Sequence, residues 1–214
     1  MINIKGFSIK IYFVSLAIFS ILIGTVIFQN ISSNKKPDAL VVDGLVALIT
    51  DDELAAESSL IVEGTVSSIS NSKWNTNDGK EPDNVTFRDS IYHDISIKVS
   101  SVIKGSTSTD EFLRVRVYNG EIPDGKTLKK LESKGYPEYS IGEKVILFLS
   151  YDDSQYNKSK ANDYYVTTGM FQGKYTISEG KAINRKNSIE SEKLLDIIKN
   201  HKDDPKKPKP TNNW

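Results

Sequence analysis

The sequence predicts a mainly β protein, five to six strands rolled into a small closed or half-closed barrel. A short N-terminal helix and a C-terminal helix flank the barrel, and a transmembrane helix precedes it. Three observations carry this. In Ile91 to Gly105, Ile91, His93, Ile95, Ile97 and Val99 share one face while Tyr92, Asp94, Ser96 and Lys98 share the other, the period-2 pattern of a half-buried strand. After Val99 the alternation slips, with Ser100 and Ser101 both polar and Val102 and Ile103 both apolar, as at a β-bulge or sharp bend. Finally, Glu111 to Tyr118 alternates cleanly, and Lys144 to Tyr151 is apolar enough for burial on both faces.

Composition bounds the rest. The 214 residues leave room for one anchor and one domain of ordinary size. Charge is balanced at 28 basic and 28 acidic residues, which gives no footing for wrapping nucleic acid. Cysteine is absent, which removes disulfides, thiolate zinc sites and a lipid-modified N-terminal cysteine together. The abundance of Lys, Asn, Ile and Ser fits an AT-rich, low-GC bacterial genome.

In chain order, Lys5 and Lys10 precede Ile11 to Phe28, a stretch without charge. As a helix it spans roughly 27 Å, close to the thickness of a bilayer core. A cleaved signal peptide has a shorter apolar core and a small-residue cleavage site. None follows Phe28, so residues 1–30 read as an uncleaved signal anchor, with secretion after cleavage as the alternative. Lys35 and Lys36 match Lys5 and Lys10 across the span, so its N-terminal position is what places the domain outside the membrane.

Residues 31–43 form a polar linker containing Pro37, and 44–200 the domain. Thr50-Asp51-Asp52-Glu53 fits a capping box opening a short helix, where paired aspartates meet the helix dipole before any metal. Ser59 to Ser70 is the first strand, with Gly64 marking a bend or a close backbone approach. Residues 71–84 form a long loop carrying Trp74. Asn119 to Ser140 reads as irregular, with a helical turn at Thr127 to Leu131. Asp152 to Asp163 is a second polar loop, and Tyr164 to Thr168 and Gln172 to Ile177 are short strands. Asn187 or Ser188 caps a helix reaching Asn200, and the Lys/Pro-rich tail 201–214 closes the chain.

Chemistry-bearing patterns are sparse. Ser101-x-x-Lys104 matches a nucleophile motif, but at the end of a strand residues three apart point to opposite faces. His93 falls on the apolar face of its strand and His201 opens the tail, neither with a metal-ligand partner at i+4. Gly169 to Gly173 lacks the lysine and helix of a phosphate loop, and Asp152, Asp153 and Asp163 lack calcium-loop spacing. Asn30, Asn84 and Asn157 open glycosylation triplets that matter only in a eukaryotic secretory pathway. The sequence therefore supplies no catalytic, cofactor or metal residue.

What remains is an arrangement. Long loops after the first and fourth strands, with the face of strands two and three, are where an OB-fold binds ligands. Trp74 lies in the first loop, Tyr92 on the polar face of strand two and Tyr118 at the end of strand three, while Tyr151 and Tyr156 lie at and in the later loop. These five are the candidate contacts for a sugar, peptide or protein, the alternative being tyrosine that merely pads a sheet.

Val62-Glu63-Gly64-Thr65-Val66, then Ile95 to Val102 closing in Ile103-Lys104-Gly105, then Ile141-Gly142-Glu143-Lys144 running on to Phe148-Leu149, resemble secreted bacterial relatives of the netrin-like domain. That family includes the tissue inhibitors of metalloproteinases, and the similarity covers about Leu54 to Ile177. The resemblance implies an OB-type barrel. The inhibitors chelate zinc through a free N-terminal cysteine, for which this chain has no counterpart. The expectation is a membrane-anchored, extracytoplasmic, non-enzymatic binding module for a protein or cell-envelope polymer. A protease-inhibitor-like protein is the alternative, and a hydrolase with a site assembled only in three dimensions the third reading.

Overall fold

The computed structural model describes residues 37–41, 46–109, 112–124, 127–158 and 163–204. The Ile11 to Phe28 segment and the tail beyond Asp204 lie outside these residues. Among the described residues no helix is long and apolar enough to cross a membrane.

The architecture is mainly β and built around a 14-residue strand, β4 (Ile91–Lys104). It pairs antiparallel with β2 (Leu60–Ile69) along one edge and with β5 (Phe112–Val117) along the other. The slip read in the sequence is present. Gly64 faces Val99 and Glu63 faces Ser101, leaving Ser100 out of the ladder, and a second shift leaves out Ile103. Gly64 is needed there, because a Cβ would stand 2.7 Å from both the Lys98 carbonyl oxygen and Ile97 Cγ2.

β2 also pairs with β8 (Lys144–Ser150), and these two strands divide two cores between them. Leu60, Val62 and Val66 with Val145, Leu147 and Leu149 join Ile95, Ile97, Val115 and Val117 in an aliphatic interior, with Tyr136, Tyr139 and Tyr165 packed against it. The alternate residues Ile61, Ile146 and Phe148 face the other way and pack with Tyr175, Leu54, Leu194 and Ile198 beneath the helices. Burial on both faces of β8 follows.

Helix α1 (Asp51–Glu57) begins at the expected capping box, Thr50 accepting from the Glu53 amide while Glu53 accepts from the Thr50 amide. Its C-terminal carbonyls are met by a buried cation. Lys104 Nζ donates to the carbonyls of Ala55 (2.7 Å) and Ala56 (3.0 Å), and burial pushes its pKa down. Asp51 fastens the helix to the sheet, accepting from Tyr175 Oη (2.6 Å) and Lys186 Nζ (2.8 Å). Burial works against that carboxylate, but these bonds outweigh it and hold its pKa below the ordinary value.

Beyond β8 the sheet continues through β10 (Lys174–Ser178), β11 (Lys181–Ile183) and β12 (Ser188–Glu190). β9 (Val166–Thr167) pairs the last residues of β8. The ladders leave this sheet open rather than rolled shut. An isolated parallel bridge spans the gap, Tyr165 donating its amide to the Arg114 carbonyl (2.9 Å) and accepting from the Arg116 amide (2.8 Å).

Other expectations are corrected. The described part of 119–140 holds no helical turn: β6 (Gly120–Asp124) and β7 (Thr127–Glu132) form a hairpin. Within the span read as a linker, β1 (Pro37–Val41) runs parallel to β7. The C-terminal helix α2 starts at Ser191, three residues after Ser188, because Ser188–Glu190 is drawn into pairing with β11. With β3 (Lys73–Trp74), twelve strands stand among the described residues where five or six were read; β3, β11 and β12 are too short for periodicity to register, and β6 and β7 lack a clean alternation of apolar and polar residues.

Candidate functional site

The site grows from one cross-strand pair. Asp94 on β4 lies directly opposite Arg116 on β5, both on the face turned away from the aliphatic interior. Arg116 Nε and Nη2 donate to the two carboxylate oxygens at 2.8 and 3.1 Å, a fork-to-fork bond. The guanidinium is held between two rings, 3.8 Å from the Tyr92 centroid and 3.7 Å from that of Tyr164. Burial opposes its charge, but Asp94 outweighs burial and raises its pKa above the ordinary guanidinium value.

Behind this sandwich lies a buried carboxylate. Asp152 accepts from Tyr118 Oη (2.5 Å) and Tyr164 Oη (2.8 Å), and its other oxygen from the Ser154 amide (3.0 Å). Burial first, then the Asp152 charge, pushes the Tyr118 hydroxyl's pKa far up, so it stays a donor. Tyr156 lies tilted over Tyr118 with centroids 5.1 Å apart, and Tyr92 meets Tyr118 edge-on at 6.2 Å. Asn75 stitches the first long loop to the second: it accepts from the Ser90 amide (2.8 Å) and donates to the carbonyls of Arg88 (2.8 Å) and Tyr156 (2.9 Å). Lys158 pairs with Asp89 alongside.

These groups surround an open cleft of about 260 Å³, lined by Asn75, Asn77, Tyr92, Arg114, Arg116, Tyr156, Lys158, Asp163 and Tyr164 among others. Arg114 reaches it one pleat along β5, its Nη2 2.5 Å from Asp163 Oδ2 and its Nη1 3.8 Å from Asp94. A larger hollow, about 440 Å³, lies beside β6 and β7. Its lining includes Lys130, bound to Glu121 and Glu132 (3.3 Å each), and Arg185, bound to the carbonyls of Lys134 and Tyr136. The smaller cleft, where the Arg116 guanidinium keeps the Nη1 donors that Asp94 leaves unused, is the candidate site. It is equipped to orient a polar ligand through hydrogen bonds, while the deeply buried carboxylate behind it, Asp152, is shielded by two tyrosine hydroxyls.

Of the five residues read from the sequence, the structure gathers Tyr92, Tyr118 and Tyr156. Tyr118 is buried to 2 % exposure, however, and supports the cleft from behind instead of presenting a surface. Trp74 is elsewhere, buried with Ile91, Ile122 and Leu131 against the hairpin. Tyr151 stacks on Tyr165 with centroids 5.1 Å apart. Periodicity missed Arg116, Arg114, Asp94, Tyr164 and Asp152. Arg114 and Arg116 were visible as the polar face of one strand and Asp94 on the polar face of the strand before it, and pairing those rows would have found the ion pair.

The remaining motifs resolve into structure. Ser101 is exposed whereas Lys104 is buried, so the two do not converge. His93 Nδ1 lies 2.9 Å from the Asn119 carbonyl. Gly169 opens a 3-10 turn, Met170–Gly173, whose Gln172 binds Ala47 and Ile49. Asp152 and Asp163 serve different partners, and among the described residues no group of three His, Asp or Glu side chains is placed to hold a metal. No protein-family model matches the chain, and no curated protein does either.

Proposed function

We propose that this protein is a binding module, acting by recognition and not by catalysis, whose ligand seat is the cleft at Tyr92, Arg116 and Tyr164. The observation that carries the reading is the Arg116 guanidinium. It is fixed by two rings and a carboxylate, yet its Nη1 donors are not taken up by Asp94. Preorganised donors at the rim of a cleft are what recognition requires, because little ordering remains to be done on binding.

The frame belongs to the same proposal: an open, OB-like and netrin-like half-barrel whose ligand lies on β4 and β5. Support comes from the neighbour relations of β2, β4, β5, β8 and β9, with the parallel Val115/Tyr165 bridge standing between the third and fifth of them. The N-terminal segment tethers this domain to the membrane with the cleft outside the cell, facing a protein or envelope polymer.

A photo-reactive residue at Asn77, on the cleft wall, tests this in the full-length chain on intact cells, with Lys181 on the distant β11 as control. Cross-links from position 77 and not 181 are expected, together with no effect of the protein on titrated secreted-protease activity. Equal labelling at both positions, or none, removes the cleft as the seat. Loss of protease activity favours the inhibitor reading.

A further inference from the structure

The cleft already holds a carboxylate in a place where a ligand's could sit. Arg114 is 42 % exposed and closes on Asp163, which is 61 % exposed. A pair that open to water contributes little and exchanges readily. Beside it, Arg116 keeps the Nη1 donors that Asp94 leaves unused. Lys158, paired with Asp89 behind the wall, adds a third cationic group, and the phenols of Tyr92 and Tyr156 and the amide of Asn77 complete a lining in which Asp163 is the one carboxylate among the described residues.

Resting on the cleft as the ligand seat, we infer that the ligand carries a carboxylate or phosphate group on a polyhydroxylated chain, and that this group displaces Asp163 from Arg114 to bridge Arg114 and Arg116. An anion reaching both arginines makes several charge-assisted hydrogen bonds where Asp163 makes one, and its chain hydroxyls meet the phenols and amide around it. Asp163 is an internal stand-in that any anionic ligand must outcompete.

The test uses the full-length chain in detergent and isothermal titration with three probes: oligogalacturonate, poly(glycerol phosphate) and neutral maltohexaose. One or both anionic probes should bind and the neutral one should not, and which anion binds separates carboxylate from phosphate as the source. Arg114→Gln should weaken binding about tenfold or more, as loss of charged hydrogen bonds does. Asp163→Asn should tighten it about twofold to fivefold, the worth of an exposed pair. Asp153→Asn, an equal charge change at an exposed residue outside the lining, should leave it unchanged. Binding of maltohexaose as strong as that of the anions, weakening by Asp163→Asn, or no binding of either anion overturns the inference. The cross-linking result from position 77 stands or falls separately, so a protein seated in the cleft by other chemistry is recognised as such.

Discussion

Beneath the helices the chain buries Ile61, Ile146, Phe148, Leu194 and Ile198, side chains that ask only for volume. At the cleft it buries Tyr118, Tyr164, Asp152 and most of Arg116, each of which needs a specific partner at a specific distance. The first arrangement tolerates any filling of the right size. The second fixes orientation, since rotating one ring or carboxylate leaves another polar group unsatisfied. Cohesion and directionality are thus assigned to different regions. Losses on the helix side should lower stability, and losses on the cleft side should change what the cleft presents.

Phe148→Ala should produce the largest effect, a destabilisation of about 3–5 kcal/mol in denaturant titration, because a fully buried ring leaves a cavity. The near-ultraviolet dichroism of the tyrosine cluster should persist up to the transition. Asp152→Ala comes next, at about 2–3 kcal/mol. Two buried hydroxyls lose their acceptor, moderated because Tyr118 and Tyr164 lie 3.2 Å apart and can bond each other. Here the aromatic dichroism should change at concentrations of denaturant where the protein is still folded. If both variants lowered stability with the dichroism unaltered, the contrast between the regions would collapse.

Asp51→Asn should cost least, about 1–2 kcal/mol at neutral pH. It also sharpens the contrast, because it tests a polar clasp placed on the helix side. The Asp51 carboxylate has a folded pKa below its unfolded value, so its contribution is complete above about 3.9 and fades as pH falls through the lower folded value. Stability measured across that acid window should slope less steeply in the variant than in the parent protein.

The parts legible in sequence were those governed by periodicity. β2, β4, β5 and β8 follow from alternation or continuous apolarity, the β4 bulge from a one-residue slip, and α1 from its cap. The glycine that ends the organising stretch also has a steric reason: a Cβ on Gly105 would stand 2.6 Å from the Ser59 carbonyl oxygen at a φ of +88°. Glu143, from the Gly-Glu motif, clasps Lys174 Nζ at 2.6 Å and the Ser140 amide at 3.1 Å. The residues that carried the family resemblance thus serve the frame. Those at the cleft come from three separated stretches. Tyr92 and Asp94 lie on β4, Arg114 and Arg116 on β5, and Asp152, Tyr156 and Tyr164 in or beside the second long loop. Only the register that pairs β4 with β5, and the hydrogen bonds that draw the loop over them, make one site of the three. Trp74 and Tyr151 fall outside the cleft, because aromatic type and loop position do not reveal which side of the backbone a ring will take.

Tyr165 touches the same two residues from the main-chain side that the ligand is inferred to touch from the side-chain side. Its amide and carbonyl form the suture across the gap in the sheet, and that suture is tied to Arg114 and Arg116. Whatever grips both guanidinium groups therefore also restrains this seam. Occupancy and cohesion become linked quantities, so the empty protein is the looser one and the loaded protein the tauter.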